Sequence, residues 1–300
     1  MENTGNTYIC TLCPRNCGAE RYQEYGEGFC GAGTLPKIAR IAPHYWEEPC
    51  ISGTKGSGAV FFAGCSLGCV YCQNYALSRG REGKSISVER LSEIFRELEA
   101  RGVHNLNLVT GSHYTPQIIE ALKLSKPGIP VVWNSSGYET PETVRALAPY
   151  VSVFLPDMKY ALSAPAARYS RAPDYPETAK AAIREMVRLA GPWETDDDGI
   201  LRRGVMIRHL VLPGQGENTR RVIRWVDEEF LPGEVLFSLM AQYTPWGALD
   251  RFPELNRPIT EGEWNDALSA LNDSGITDGY VQDPDASGVE AIPAFDGSGV

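Results

Sequence analysis

The sequence has 300 residues and a formal net charge of −10. Its 43% of apolar and 22% of charged residues are usual for a folded globular protein, which excludes collagen, a coiled coil and disorder throughout. The acidic balance does not favour a general nucleic-acid-binding protein, because phosphate contacts need a basic surface. We therefore expect no nucleic-acid partner.

The chain carries no sequence signal for a membrane. Its most apolar short run, residues 59–65, is far shorter than a helix that spans a bilayer. The first seven residues lack the basic start and the apolar stretch of a signal peptide. These features predict a cytoplasmic protein without a membrane partner, in a compartment where cysteines stay reduced.

Eight cysteines fall into two groups and a singleton. The first group is Cys10, Cys13, Cys17 and Cys30, and the second is Cys65, Cys69 and Cys72. Cys50 stands alone and is interpreted as a small buried apolar residue. In a reducing compartment, the spacing of both groups indicates metal ligands rather than disulfides.

The first group supplies four thiolates, which fit a closed tetrahedral zinc site or an auxiliary iron–sulfur cluster. The spacing does not decide between them; zinc is the preferred interpretation, and four unligated thiols are the alternative. The chain between the two groups is predicted to be irregular, because it contains Pro36, Pro43 and Pro49 and a glycine-rich run. Residues 1–54 would thus form a metal-stapled segment, with Arg15 and Arg21 offsetting part of the thiolate charge.

From residue 59 the pattern alternates between strands and helices. An apolar stretch at residues 59–63 predicts a buried strand, and Ser87 is placed to cap a helix over residues 88–101. The other predicted strands lie at residues 105–110, 130–134, 151–155, 204–212, 234–240 and 279–282. The other predicted helices lie at residues 116–124, 142–148, 177–190, 219–230 and 261–274. Residues 284–300 are predicted to be a flexible tail.

Repeated strand–helix units predict an α/β fold with a parallel sheet, wound as a barrel or as an open doubly wound sheet. Asn105 and Asn107 alternate with two leucines, which places the asparagines in a polar lumen; a half-exposed edge strand is the alternative. Polar residues also follow almost every predicted strand, where barrel enzymes place their sites. The prediction is a partial (β/α)6 TIM-like barrel over residues 55–283, with an N-terminal cysteine-rich metal-binding segment over residues 1–54.

The second cysteine group has the spacing Cys65-x3-Cys69-x2-Cys72 and directly follows the first barrel strand. Soft thiolate ligands suit an iron–sulfur cluster. Three ligands leave one iron of a [4Fe–4S] cube without a protein ligand, so a small molecule can bind and react there. A structural zinc site is the alternative.

This triplet, with Tyr71 before its third cysteine and Gln73 and Asn74 after it, resembles the radical S-adenosylmethionine (SAM) superfamily. The resemblance implies that the unique iron binds the amino and carboxylate groups of SAM. It implies that the reduced cluster gives one electron to the sulfonium, which yields methionine and a 5′-deoxyadenosyl radical. That radical would abstract a hydrogen atom from a substrate.

Most of the chain is similar to a subgroup that resembles pyruvate formate-lyase activating enzyme. The matching stretches are residues 10–17, 47–53, 105–110, 136–139, 155–160 and 208–214. The resemblance implies an oxidoreductase that acts on a glycyl-radical enzyme or another protein substrate, with an electron donor such as flavodoxin or ferredoxin. A radical enzyme for a small molecule or peptide is the alternative. A metal-binding or electron-transfer protein without radical chemistry is a third hypothesis.

The resemblance also implies roles for single residues. Cys65, Cys69 and Cys72 would hold the catalytic cluster. The SAM-binding positions would be Tyr71, Asn74, Thr110, Gly111, Ser112, Asn134, Ser135, Ser136, Asp157, Lys159 and Arg208. The segment after the second strand usually ends in a glutamate, which residues 110–113 lack, although their backbone carbonyls could still bind the SAM amino group.

Asp157 and Arg208 match positions beside the SAM carboxylate, with which a guanidinium pairs well. An ordinary ion pair inside the barrel is the alternative for these two residues. His113 and His209 are interpreted as structural or substrate-positioning residues, because hydrogen-atom abstraction needs no acid or base.

Overall fold

The structure is a computed structural model that describes residues 8–79, 81–247, 249–282, 295 and 297–300. Its strands are Tyr8–Cys10 (β1), Ala19–Arg21 (β2), Lys37–His44 (β3), Ser57–Phe62 (β4), Lys84–Ser85 (β5), Leu106–Val109 (β6), Val131–Ser135 (β7), Val153–Pro156 (β8), Glu194–Thr195 (β9), Leu201–Leu210 (β10), Leu236–Met240 (β11) and Gly279–Val281 (β12). Its helices are Pro49–Ser52 (α1), Tyr75–Ser78 (α2), Val88–Ala100 (α3), Thr115–Ser125 (α4), Pro141–Leu147 (α5), Ser163–Ser170 (α6), Tyr175–Ala190 (α7), Gly216–Glu229 (α8) and Glu261–Asn272 (α9). Within the described ranges, none of the helices is long and apolar enough to cross a membrane.

One large sheet carries most of the strands. Their order is β12-β11-β10-β8-β7-β6-β4-β3-β5, and β9 pairs with β10 outside this path. The pairs along the path from β4 to β12 are parallel, whereas β3 is antiparallel to both β4 and β5. This mostly parallel sheet confirms the predicted α/β class and is consistent with a partial barrel.

Helix α3 shows how local sequence produces the predicted elements. The Ser87 hydroxyl accepts a hydrogen bond from the Arg90 backbone N–H at 3.2 Å, which satisfies a donor that the first turn leaves free. The apolar side chains on its inner face are fully buried: Leu91, Ile94, Phe95 and Leu98. Each contributes about 1.5–3 kcal/mol of transfer free energy, so this face fixes α3 against the sheet.

Helix α1 fills the amino end of the barrel lumen. Its Cys50 and Ile51 pack among side chains of four barrel strands, namely Val132, Val153, Leu155, Leu201, Met206 and Leu236. Asn105 donates from Nδ2 to the Ile51 carbonyl oxygen at 2.7 Å and accepts from the Ser57 hydroxyl at 2.5 Å. Asn105 therefore faces the lumen as predicted, and Cys50 is the buried apolar residue that was expected.

Strand β3 and helix α6 were not predicted. The prediction of an irregular chain is wrong for residues 37–44, because Pro43 lies opposite Gly58 near the end of β3 and leaves most of the pairing intact. Helix α6 has only eight residues and carries Pro165 in its first turn, so its sequence lacks the long apolar repeat from which a helix is predicted. Since β3 belongs to the main sheet, hydrogen bonds join the N-terminal segment to the barrel; the domain boundary at residue 54 stays a prediction.

The predicted flexible tail lies largely outside the described residues, which lack 284–294 and 296. Its described part contacts the sheet. Backbone hydrogen bonds join residues 297 and 298 to β3. The Phe295 ring lies 5.6 Å from the ring of Phe61 on β4, in an edge-to-face arrangement.

Candidate active site

The second cysteine group lies on the loop between β4 and α2, at the carboxyl end of the first barrel strand. Gly68 has a φ of +59° in this loop, and a Cβ there would come within 2.9 Å of the Phe29 ring, so the turn requires glycine. Two donors face the sulfurs. The Gly68 N–H reaches Cys65 Sγ at 3.3 Å, and the Ser170 hydroxyl reaches Cys69 Sγ at 3.1 Å.

Burial raises the pKa of the Cys65 and Cys72 thiols. It raises the pKa of Cys65 to about 12, and negative charge on Cys69 and Cys72 acts in the same direction. The Lys159 ammonium opposes this trend at Cys72, because a nearby cation favours the thiolate. Buried sulfurs with hydrogen-bond donors and a cation beside them form a donor set that fits a [4Fe–4S] cluster.

The arrangement of the ligands also suits a cluster rather than a single ion. No three histidine, cysteine, aspartate or glutamate side chains within the described ranges converge as ligands of one metal ion. A [4Fe–4S] cluster does not need such convergence, because each thiolate binds a different iron.

A cavity of about 200 Å³ opens beside the three cysteines. Its walls include most of the positions expected to bind SAM: Tyr71, Asn74, Thr110, Asn134, Ser135, Ser136, Asp157, Lys159 and Arg208. Gly111 and Ser112 are not among its lining residues. A larger groove of about 510 Å³ lies at the amino ends of β7 and β8, away from the thiols.

Thr110 stands at a strained turn in the cavity wall. Its φ is +59°, which is rare for a β-branched residue and costs about 1–3 kcal/mol. A hydrogen bond from its backbone N–H to the Asn134 carbonyl oxygen, at 2.8 Å, holds the turn. The strain therefore lies in the segment whose backbone is expected to meet the SAM amino group.

Arg208 is the centre of a buried ion-pair network. Its guanidinium donates to Asp157 Oδ1 at 3.0 Å, to Asn134 Oδ1 at 2.7 Å and to Glu47 Oε2 at 2.8 Å. Burial disfavours an ionised Asp157, but Lys159 and Arg208 outweigh that effect and lower the pKa of the carboxyl. The structure thus contains the internal ion pair that was the alternative for Asp157 and Arg208, together with Glu47, which the sequence did not single out.

A buried carboxylate contacts Ser112, although residues 110–113 carry none. Glu139 is 1% exposed and accepts from Trp133 Nε1 at 2.7 Å, from the Ser135 hydroxyl at 3.2 Å and from the Ser112 hydroxyl. Burial raises the pKa of Glu139 against the effect of these three hydrogen bonds. Glu139 therefore ties together the segments that follow β6 and β7.

The first cysteine group lies directly against the loop of the second. Cys10 and Cys30 are buried, Cys13 is partly buried and Cys17 is exposed. Burial raises the pKa of Cys13 to about 11, and charge on the other three thiols acts in the same direction because all four lie close together. Arg21 Nη2 lies 3.9 Å from Cys30 Sγ. A Cβ at Gly64, next to Cys65, would come within 2.6 Å of the Cys30 carbonyl oxygen.

His113 and His209 contact the scaffold. Nδ1 of His209 lies 2.7 Å from the Met158 carbonyl oxygen and Nε2 lies 3.0 Å from Thr219 Oγ1. Nε2 of His113 lies 2.7 Å from the Ala63 carbonyl oxygen. Burial lowers the pKa of each histidine to about 4, so both are neutral near pH 7, which suits a structural role.

The family model of the Radical SAM superfamily matches residues 59–226, which is more than half of the chain. This chain belongs to the radical SAM superfamily. The matched range contains the second cysteine group and all the expected SAM-binding positions. Membership confirms the superfamily prediction and implies an enzyme with a [4Fe–4S] cluster and SAM.

The individual proteins that match this radical SAM chain share little sequence identity with it. The chain is 28% identical over 270 residues to "Uncharacterized protein MJ0674" of Methanocaldococcus jannaschii, and the alignment covers 86% of this chain and 73% of that protein. Streptococcus suis SuiB bound to precursor peptide SuiA has a TM-score of 0.43 and 13% identity, over 73% of this chain and 46% of SuiB. SuiB bound to S-adenosylmethionine has a TM-score of 0.42 and 14% identity, over 73% of this chain and 48% of SuiB. The chain thus spans about half the length of these solved structures.

Proposed function

We propose that this radical SAM chain reductively cleaves SAM at a [4Fe–4S] cluster held by Cys65, Cys69 and Cys72, and that it abstracts a hydrogen atom from a substrate. One observation carries the proposal: the three thiols open onto the same cavity as the residues expected to bind SAM. A reduced cluster bound by these cysteines would supply the electron that cleaves SAM into methionine and a 5′-deoxyadenosyl radical.

The charges in the cavity suit the amino-acid end of SAM. Arg208 uses three of the five N–H groups of a guanidinium on protein acceptors, which leaves two for a carboxylate. Lys159 adds a second cation at the same wall. The SAM amino group would then meet the backbone carbonyl of Thr110, the residue of this segment that lines the cavity, at the strained turn.

We further propose that the substrate is a protein, with a glycyl-radical enzyme as the first candidate. The resemblance of residues 47–53, 136–139 and 208–214 to the subgroup that is similar to pyruvate formate-lyase activating enzyme supports this choice. Trp46 also supports it, because this side chain lines the cavity yet is 66% exposed, and an exposed wall is accessible to a loop of another protein. An electron donor such as flavodoxin or ferredoxin would reduce the cluster.

The formation of 5′-deoxyadenosine tests the radical chemistry. The protein is purified without oxygen, reconstituted with iron and sulfide, reduced and mixed with SAM. We expect product from the wild type and from Cys50→Ala, which removes a buried cysteine outside both groups, but not from Cys72→Ala. Absence of product from a wild-type protein that carries a reduced cluster and binds SAM at it would mean that substrate controls cleavage. Failure to bind SAM would contradict the proposal.

A glycyl radical on a partner enzyme tests the activating role. Anaerobic incubation with a glycyl-radical enzyme should produce the doublet electron paramagnetic resonance (EPR) signal of that radical, and Cys72→Ala should not. If 5′-deoxyadenosine forms but no encoded glycyl-radical enzyme gives the doublet, the substrate is instead a small molecule or peptide.

We also propose that Cys10, Cys13, Cys17 and Cys30 hold an auxiliary iron–sulfur cluster or zinc; because no three of these side chains converge on one point among the described residues, a zinc ion would require them to turn inward. The fold of the segment supports the proposal, because Cys10 lies opposite Ala19 in the β1–β2 pair and a Cβ at Gly28, two residues before Cys30, would come within 3.2 Å of Cys17 Sγ. Elemental analysis of the purified protein distinguishes the two metals. Cys13→Ser should lose that metal and destabilise the N-terminal segment; unchanged metal content and thermal unfolding would contradict the proposal.

A further inference from the structure

We propose that Arg15, which lies within the first cysteine group, is a positioning residue for the loop that carries Cys65 and Cys69. The inference rests on the proposed function of that loop as the cluster site. The sequence suggests only that Arg15 offsets thiolate charge. Its guanidinium instead faces the backbone of the other cysteine group.

Four hydrogen bonds join Arg15 to two separate parts of the cluster site. On one side, Nε donates to the Ser66 carbonyl oxygen at 2.5 Å and Nη2 donates to the Leu67 carbonyl oxygen at 3.2 Å. On the other side, Nη2 donates to the Ser170 carbonyl oxygen at 2.8 Å and Nη1 donates to the Arg171 carbonyl oxygen at 2.9 Å. A single side chain thus bridges the cluster loop and the end of α6.

The end of α6 is itself a contact of the cluster site. Ser170 accepts a hydrogen bond from Arg15 at its carbonyl oxygen and donates its hydroxyl hydrogen to Cys69 Sγ, at 3.1 Å. The Val70 backbone N–H donates to the Tyr169 carbonyl oxygen at 2.9 Å. Helix ends leave carbonyl groups without partners, and Arg15 satisfies two of them here. Arg15 therefore fixes the distance between the helix that donates to Cys69 and the loop that carries Cys65.

The first cysteine group in turn holds Arg15. The Arg15 backbone N–H faces the Cys13 sulfur and opposes the rise in the Cys13 pKa that burial causes. The guanidinium lies over the Phe29 ring, 3.7 Å from its centroid, and Phe29 precedes Cys30. Cysteines on both sides of Arg15 in the sequence belong to the group, so a metal bound there would restrain the backbone that carries the guanidinium.

The geometry explains why this position carries arginine. A guanidinium offers five N–H groups in a fixed planar fork, so one side chain can donate to carbonyl groups on two sides at once. A lysine ammonium is a point charge on a flexible stem and cannot reproduce this bridge. Arg15→Lys therefore preserves the charge and removes the positioning.

Cluster stability in Arg15 variants tests the inference. Wild type, Arg15→Lys, Arg15→Gln and Arg224→Gln, an exposed control on α8, are reconstituted with iron and sulfide. We measure iron and sulfide content, the rate of iron loss to a chelator and the EPR spectrum of the reduced cluster with and without SAM. Loss of an outer contact of a metal site weakens metal binding by about 10- to 100-fold, so we expect chelator-driven loss to rise by a comparable factor in both Arg15 variants.

Amide hydrogen exchange of residues 65–72 in the metal-free protein provides a second measurement. Both Arg15 variants should exchange faster in this loop than the metal-free wild type. In a second comparison, with metal in the first group of the wild type, Cys13→Ser should also exchange faster. Wild-type rates and spectra in Arg15→Lys, with its fold intact by circular dichroism, would overturn the inference. If the wild type itself forms no cluster, the proposed function fails, while loop exchange still decides the role of Arg15.

Discussion

Arg208 donates to Glu47 at 2.8 Å although 161 positions separate them in the chain. Their side chains are only 11% and 12% exposed, so the pair is shielded from solvent. The contact joins β10 to the segment between β3 and α1. Arg208 also contacts Asp157, which pairs with Lys159 at 2.7 Å, so the guanidinium is the cation that balances Glu47 and shares Asp157 with Lys159.

Removal of Arg208 should therefore destabilise the metal-free protein. Arg208→Met leaves a buried carboxylate without its cation, and we expect the free energy of unfolding to fall by about 3–5 kcal/mol. Glu47→Gln keeps an acceptor for the guanidinium but turns an amide N–H2 toward the Asn107 and Asn134 amides, so it should cost less than Arg208→Met, about 1–3 kcal/mol. Urea unfolding followed by circular dichroism measures both. The control is Arg220→Met, which breaks an exposed pair worth at most about 1 kcal/mol; an equal loss in Arg208→Met would contradict the prediction.

Ser170→Ala should make the proposed cluster harder to reduce. The variant removes the hydroxyl that donates to Cys69 Sγ at 3.1 Å. Hydrogen bonds to cluster sulfurs stabilise the more negative, reduced state, so their loss lowers the reduction potential. A redox titration followed by EPR measures the shift. Ser163→Ala, at an exposed position at the other end of α6, should leave the potential unchanged, and a wild-type potential in Ser170→Ala would refute this expectation.

His209 should make the protein less stable as the solution becomes mildly acidic. Its pKa is about 4 in the folded state against 6.5 in a free side chain, so the unfolded state binds the proton first. Stability is then greatest above pH 6.5 and declines as the pH falls toward 4, by roughly 2 kcal/mol at pH 5. Thermal unfolding between pH 7 and 5 measures the slope. His209→Gln should be less stable at pH 7 but flatter in this range, and a profile parallel to that of the wild type would show that His209 does not contribute.

Asn105→Ala should loosen helix α1. The change leaves the Ile51 carbonyl and the Ser57 hydroxyl without their partner inside the barrel. An unsatisfied buried polar group costs about 1–3 kcal/mol, so we expect a fall of that size or more in the free energy of unfolding. Asn272→Ala, at an exposed position in α9, is the matched control for urea unfolding. Equal stabilities of the two variants would mean that Asn105 does not hold α1.

The elements that the sequence predicted are those whose signals are local. The cap at Ser87 and the apolar spacing of residues 91–98 lie within one helix, so α3 could be predicted to within a residue. Strand β3 depends on its pairing with β4, whereas Pro36 before it and Pro43 near its end indicated an irregular chain. Helix α6 packs on the barrel through a few buried side chains without a long apolar repeat.

The candidate site likewise combines a motif that is local in the sequence with partners that are distant in it. Cys65, Cys69 and Cys72 form one short motif, and its spacing, its place after the first barrel strand and its resemblance to the radical SAM motif together predicted a cluster. The partners of that motif come from distant parts of the chain. Glu139 reaches Ser112 from 27 positions away, and Arg15 reaches Ser170 from 155 positions away. Single-sequence reasoning has no information about such pairs, because nothing in the local pattern of either residue depends on the other.

Helix α1 gives the lumen a blind end. With Cys50 and Ile51 filling the space between the starts of the strands, a molecule cannot pass through the barrel from one end to the other. The floor of the lumen lies opposite the carboxyl ends of the strands, where the cysteine triplet stands. A substrate segment that enters beside the thiols therefore meets a closed floor, and the depth of the lumen limits how far the segment can insert.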